Sequence, residues 1–187
     1  GWTFDPDILR RHDRPGPRYT SYPTAPHFHD GYGAGQFREA IARSNASARP
    51  LSLYVHVPYC TSPCFYCGCN TAVAGKAARV EAYLAALHQE IATVGSLLPQ
   101  GAQVRRVAFG GGSPNAIATT DFLGIVEALH AHLPLDAPEW SIELDPRSLT
   151  ADWSGVIAAT GITRASMGVQ TFAVHCQKAI GREQSLA

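Results

Sequence analysis

The sequence has no excess of charge of either sign, no long apolar run, few cysteines and a single methionine. Lys plus Arg and Asp plus Glu stand at 15 each, so the formal net charge is zero. That leaves no basic footprint for nucleic acid or for an anionic membrane surface. No apolar stretch approaches the roughly 18–20 residues needed to cross a bilayer. Residues 1–30 carry prolines and charges throughout, so the apolar centre of a secretory leader is not expected there. Unpaired cysteines without an export signal fit a reducing cytoplasm. The one methionine is Met167, the chain starts at Gly1, and it stops in a polar stretch after Gly181. These features read as a piece of a longer protein.

Cysteine is scarce, yet four of the five lie within ten residues: Cys60, Cys64, Cys67 and Cys69. The first three are spaced C-x3-C-x2-C, directly after the strand-like run Leu51 to Val57. Three thiolates on one short loop can hold three irons of a 4Fe–4S cube and leave the fourth iron without a protein ligand. Two other readings compete. A structural zinc site usually draws on two separated C-x2-C pairs, which crowding into ten residues fits poorly. Disulfides suit small secreted domains, whereas here an odd thiol, Cys176, is left over. Cys176 itself falls on an expected helix and reads as a buried or neutral thiol.

Around the loop, apolar periodicity alternates between strand and helix. Residues 1–48 form an extension rich in Pro, Gly, Arg and aromatics, expected to be ordered and to pack as a strap through Arg18, Tyr19 and Tyr22, with a short helix at 36–43. From residue 49 onward, strands are expected at Leu51–Val57, Val104–Phe109, Trp140–Leu144 and Arg164–Val169. Between them Val80, Tyr83, Leu84, Leu87, Ile91 and Val94 share one helical face, as do Phe122, Ile125, Val126, Leu129 and Leu133. A third helix carries Trp153, Val156 and Ile157 and is closed by Gly161; a fourth begins near Phe172. Strands alternating with helices imply βαβ units and a parallel sheet. Each strand ends in a chemically distinctive cluster, at the edge where such folds place their active sites.

The ordered series of motifs resembles the radical S-adenosylmethionine (radical SAM) enzymes, whose signature is the C-x3-C-x2-C loop after the first barrel strand. Within that superfamily the chain looks most like the oxygen-independent coproporphyrinogen III oxidases. The resemblance rests on Gly16-Pro-Arg-Tyr-Thr-Ser-Tyr-Pro-Thr24, Tyr54-Val-His-Val-Pro58, the cysteine loop through Asn70, Gly110-Gly-Gly-Ser-Pro114, Ser141-Ile-Glu-Leu-Asp-Pro146, Ser166 to Phe172 and Gly181-Arg-Glu-Gln184. It implies an α/β fold, an incomplete parallel (β/α) barrel of TIM type covering about its first four βα units, with the C-terminal part of the barrel missing. The chain by itself is then expected to be inactive.

The resemblance also implies a set of roles. Cys60, Cys64 and Cys67 would hold the 4Fe–4S cluster. Tyr54, Tyr66, Gly111, Gly112, Ser113 and Glu143 would contact S-adenosylmethionine, and Gln170 and Arg182 a second molecule of it. Cys69, not needed by the cube, matches the C-x-C-N ending of the oxidase branch and is an accessory thiol; the related heme-chaperone branch typically carries an aromatic there. The reaction implied is radical removal of a β-hydrogen from a propionate of coproporphyrinogen III. Loss of carbon dioxide and an electron then leaves a vinyl group, twice per substrate, giving protoporphyrinogen IX. An electron donor and acceptor are needed, a monomer is expected, and a heme chaperone or another tetrapyrrole enzyme is the alternative. Bottom-up expectations for single residues differ from these roles in places. Glu143 is read as a charge in a buried strand that needs a partner, His56 as a satisfied structural histidine, and Arg182, so near the end, as an exposed surface arginine.

Overall fold

A computed structural model describes residues 5–13, 24–75 and 77–185. The chain divides into two compact units, residues 1–39 and 40–187. The first holds helix α1 (Pro6–His12), capped by the Asp5 carboxylate accepting from the Asp7 amide at 2.8 Å, and a 3-10 turn at Ala25–His27. The divide falls inside helix α2 (Ala34–Ala46), longer than the expected 36–43. Arg18, Tyr19 and Tyr22 lie outside the described residues.

The second unit is built on four parallel strands: β1 (Leu51–Val57), β4 (Val104–Gly111), β5 (Leu135–Leu144) and β6 (Arg164–Met167), in the spatial order β1-β4-β5-β6. Every neighbouring pair is parallel, and each connection returns through a helix: α3 (Ala77–Leu97), α4 (Thr119–His132) and α5 (Ala151–Ala159). A last helix, α6 (Val174–Ala179), follows β6. Two two-residue strands, β2 (Tyr59–Cys60) and β3 (Ala72–Val73), pair with each other.

One face of the sheet is buried and the other is not, as the period-2 alternation of strand side chains requires. Val55, Val57, Val107, Phe109, Trp140, Ile142 and Leu144 point into the core with Leu84 and Ile91 of α3, Phe122, Ile125 and Leu129 of α4, and Trp153 of α5. Aromatic rings tie the layers together: Phe109 and Phe122 have centroids 4.8 Å apart, Phe122 and Trp153 5.1 Å. Such pairs add about 0.5–1.5 kcal/mol beyond their buried area. The alternate residues, Tyr54, His56, Ala108, Gly110, Ser141 and Glu143, lie on the other face, where a closed barrel would have its interior.

The helix ends are set by local chemistry. Thr150 caps α5 by accepting from the Trp153 amide at 3.3 Å. At the other end Gly161, at φ +72°, sits one past the cap. The Gly161 amide donates to the Ala158 carbonyl and the Ile162 amide to that of Ile157, the paired bonds of a Schellman turn. Helix α6 closes in the same way at Gly181 (φ +65°), whose amide reaches Lys178 while that of Arg182 reaches Gln177. This second turn reverses the chain and brings Arg182 back to the sheet.

Candidate cluster and cofactor site

The C-terminal ends of the strands gather the polar residues of the second unit. On β4 the side chains facing the open side are small, Ala108 and Gly110, so the larger groups of the flanking strands lean across them. A Cβ on Gly110 would stand 2.7 Å from Glu143 Oε2 and 2.9 Å from the Tyr54 hydroxyl. Tyr54 of β1 and Glu143 of β5 therefore meet over a glycine, on an open face where Tyr54 is 59 % exposed. Partial burial first, then the charge of Glu143 and the Cys69 thiol, push the Tyr54 hydroxyl's pKa up. Glu143 is exposed rather than buried. The expectation of a buried charge thus fails for Glu143, because alternation along β5 turns it to the open face.

The turn after β4 is cut close to the backbone of β2. The Gly112 amide donates to the Val57 carbonyl at 2.9 Å and the Ser113 amide to that of Tyr59 at 2.7 Å. A Cβ on Gly112 would lie 2.5 Å from the Tyr59 carbonyl oxygen, and Gly111 adopts φ +117° beside the His56 ring. Ser113 turns inward: it is buried, and its hydroxyl bonds Asn115 Oδ1 at 3.1 Å. His56 meets the Tyr54 hydroxyl at 3.3 Å and the Asn70 carbonyl at 3.4 Å, the satisfied histidine that was expected.

The cysteine loop is closed at its base by β2 and β3, with the Ala72 amide donating to Pro58 at 2.7 Å and Ala74 to Cys60 at 3.0 Å. On its far side the Phe65 amide donates to the Ile180 carbonyl at the end of α6, at 2.9 Å. None of the loop cysteines is in a disulfide, which removes that reading for them. The Cys69 amide donates to Cys67 Sγ at 3.3 Å, and Thr71 Oγ1 lies 3.9 Å from the same sulfur. The Cys69 bond is the main cause that lowers the Cys67 pKa; burial, with the neighbouring Cys67, raises those of Cys60 and Cys69. Arg182 places a guanidinium nitrogen 3.7 Å from Cys64 Sγ. Tyr66 and Phe65 project from the loop into the open. Gln170 holds φ +67°, an uncommon conformation for a side-chain-bearing residue, which persists only where surrounding contacts impose it. A Cβ on Gly168 would sit 3.0 Å from Gln170 Nε2 and 3.3 Å from Arg182, so these two side chains converge.

Under the loop runs a buried polar network that sequence reasoning missed. Asp145, 3 % exposed, is forked by Arg147, whose Nε lies 3.1 Å from both carboxylate oxygens and whose Nη2 lies 2.7 Å from Oδ2. Arg182 approaches Asp145 Oδ1 at 3.2 Å and donates to the Gly168 carbonyl. Asn115 locks the Asp145 backbone from both sides, accepting from its amide at 3.0 Å and donating to its carbonyl at 2.9 Å. Arg182 is 8 % exposed, so the surface placement expected for it is wrong. Its position past the Schellman glycine, rather than its distance from the chain end, decides its burial. Burial alone would raise the Asp145 pKa, but the hydrogen bonds from Arg147 and the charge of Arg182 hold it below the ordinary carboxylate value.

The same strand ends and cysteine loop fall inside a known family. Residues 54–187 match the one described as the Radical SAM superfamily.

The chain belongs to the radical SAM superfamily.

The oxygen-independent coproporphyrinogen III oxidase of Pseudomonas aeruginosa is 41 % identical over 187 residues, covering 97 % of this chain and 40 % of the relative. That of Escherichia coli is 38 % identical over 182 residues, covering 97 % and 39 %. A solved structure of coproporphyrinogen III oxidase (HemN) from Escherichia coli superposes with a TM-score of 0.83 at 36 % identity, over 98 % of this chain and 40 % of that one. The chain therefore spans about two fifths of the length of the curated relatives it matches. The parallel α/β arc is the fold of that radical SAM enzyme over the shared part. Among the described residues no helix is long and apolar enough to cross a membrane.

Radical SAM enzymes use a 4Fe–4S cluster and S-adenosylmethionine, and the donors present fit the cluster. Three unpaired thiols share one loop that is pinned at base and tip, and a guanidinium and a backbone amide are aimed at two of the sulfurs. Among the described residues no three His, Cys, Asp or Glu side chains converge on a point that would chelate a single ion. A cube takes each thiolate on a different iron, so it needs the loop rather than that convergence.

Proposed function

We propose that the protein is an oxygen-independent coproporphyrinogen III oxidase and that this chain supplies its cluster loop and part of its S-adenosylmethionine site. The observation that carries the proposal is the extent of the likeness. The family match begins at residue 54, yet identity to the oxidases runs over 97 % of the chain, so the segment ahead of the superfamily's common part is shared as well.

In this reading Cys60, Cys64 and Cys67 ligate the cluster, which when bound supplies the electron for reductive cleavage of S-adenosylmethionine and hence radical hydrogen abstraction. The residues around it bind and orient. Gly111 and Gly112 let the β4 turn approach the cofactor with no Cβ in the way. Tyr54 and Glu143, meeting over Gly110, offer a hydroxyl and a carboxylate to the nucleoside part. Tyr66, exposed at the loop tip, offers a ring for the adenine. Ser113, buried with its hydroxyl on Asn115 and its amide on the Tyr59 carbonyl, shapes the turn that carries the two glycines. Gln170 and Arg182, which converge at Gly168, are assigned to a second S-adenosylmethionine, and Cys69, whose thiol interacts electrostatically with Tyr54 and Glu143, is an accessory thiol. Coproporphyrinogen III is the substrate, and an electron donor and acceptor complete the cycle. The protein works as a monomer in the cytoplasm, with residues 1–48 of this chain as an extension and 49–187 as the barrel portion.

The test is anaerobic reconstitution of the protein followed by incubation with S-adenosylmethionine, a reductant and coproporphyrinogen III. Conversion to protoporphyrinogen IX supports the proposal. Cleavage of S-adenosylmethionine with coproporphyrinogen unchanged and heme tightly captured would identify a chaperone instead.

A further inference from the structure

The resemblance gives no role to Asp145 and Arg147, yet they sit beneath the cysteine loop and are among the most fully bonded polar groups in the fold. Asp145 is held by its backbone to Asn115 and by its carboxylate to the Arg147 fork. A forked guanidinium has a fixed plane, so its remaining donors point in set directions. Those of Arg147 reach the Ser62 carbonyl at 3.4 Å and the Gly181 carbonyl at 3.3 Å. Ser62 is the midpoint of the turn from Cys60 to Cys64, and Gly181 is the residue whose turn delivers Arg182 to Cys64 Sγ. One side chain thus joins the cysteine loop, the end of β5 and the end of α6.

Charge adds a second consequence. Arg147 and Arg182 share the single carboxylate of Asp145, so one positive charge is left uncompensated within that trio. Asp145 first, and after it the thiols of Cys64 and Cys60, push the Arg147 pKa up, as nearby negative charge does. Arg147 is little exposed, at 14 %, so water screens that charge weakly. Reduction of a cluster adds negative charge to its thiolate-ligated core, and a fixed cation nearby favours the reduced form.

We propose that Arg147, oriented by Asp145, is a positioning residue that pins the Cys60–Cys64 turn through Ser62 and raises the reduction potential of the cluster. The proposal rests on membership of the radical SAM superfamily and not on the choice of substrate, so its test reads no turnover. The experiment compares the anaerobically reconstituted full chain with Arg147→Gln, Arg147→Lys and the remote Arg105→Gln, which removes a cation at the opposite end of β4. Two quantities are read: the midpoint potential by a spectroscopically monitored redox titration, and the rate of iron loss to a chelator.

Arg147→Gln is expected to move the redox equilibrium toward the oxidised cluster by about tenfold, or 59 mV to more negative potential for one electron. Arg147→Lys keeps the charge and is expected to keep the potential, but both Arg147 variants lose iron several-fold faster. Arg105→Gln is expected to change neither. An Arg147→Gln midpoint equal to the parent's, or an equal shift in Arg147→Lys, overturns the electrostatic role. If Arg147→Gln takes up no cluster, Arg147→Lys carries the test. Faster iron loss from it supports the pinning of Ser62, and parent-like retention overturns it.

Discussion

Replacing Gly112 by alanine is the sharpest mechanical test of the site's architecture. The added methyl would stand 2.5 Å from the Tyr59 carbonyl oxygen, 2.8 Å from its carbonyl carbon and 3.0 Å from its nitrogen. All three are backbone atoms of β2, held by pairing to β3, so they cannot swing aside as a side-chain tip would. Relief requires the β4 turn to retreat, which lengthens the Gly112–Val57 and Ser113–Tyr59 hydrogen bonds. Overpacking of this kind costs about 1–3 kcal/mol, and each bond lost in a buried setting about 1 kcal/mol more. A destabilisation of roughly 3–5 kcal/mol follows. Gly155 gives the opposite control: it lies within α5 with nothing near its missing Cβ. Alanine there is expected to stabilise by about 0.5–1 kcal/mol through helix propensity. Urea unfolding of both variants measures the difference. A Gly112→Ala protein within about 0.5 kcal/mol of the parent, well under the overpacking range, would refute the close approach of the two turns.

Two further outcomes follow from the electrostatics. Asp145 has its folded pKa lowered, so its contribution to stability is complete above the ordinary carboxylate value of about 4 and fades as pH falls through the lowered one. Acidification from about pH 5 to 3 should therefore lower the parent's urea midpoint more steeply than that of Asp145→Asn, already weaker at neutral pH; parallel slopes would contradict the assignment. In the metal-free chain kept reduced, Cys67, with its lowered pKa and open position, should be alkylated by iodoacetamide before Cys60, whose pKa is raised. Peptide mass spectrometry over a time course reads the order, and faster labelling of Cys60 would count against it.

Much of the fold is legible in the order of the residues. The parallel α/β arrangement and the core faces of α3 and α4 follow from periodicity, since Leu84, Ile91, Phe122 and Leu129 recur at helical spacing and are buried as their pattern demands. The Gly161 stop on α5 is equally plain, because only a left-handed residue closes that turn without strain. Other features have no local signal. The two-residue strands β2 and β3 are too short to show alternation, although they close the cysteine loop. Helix α1 is a single short segment with no buried residue, so no apolar stripe marks it. Asp145 reads only as a strand stop before Pro146. Arg147 is its neighbour in the same connection, but its partners Asn115 and Arg182 come from distant ones, and pairing of that kind is set by topology. Glu143 and Arg182 exchange their expected settings for the same reason: the pleat sends one outward, and a Schellman turn sends the other in.

The central claim is that the loop from Cys60 to Cys69 seats a cube with one iron open to a cofactor. Anaerobic iron and sulfide analysis, with a paramagnetic resonance spectrum of the reduced protein before and after S-adenosylmethionine, tests it most directly. The account predicts about four irons and four sulfides per chain and a spectrum that shifts when S-adenosylmethionine is added. A colourless protein carrying stoichiometric zinc, or a cluster whose spectrum ignores S-adenosylmethionine, would contradict it.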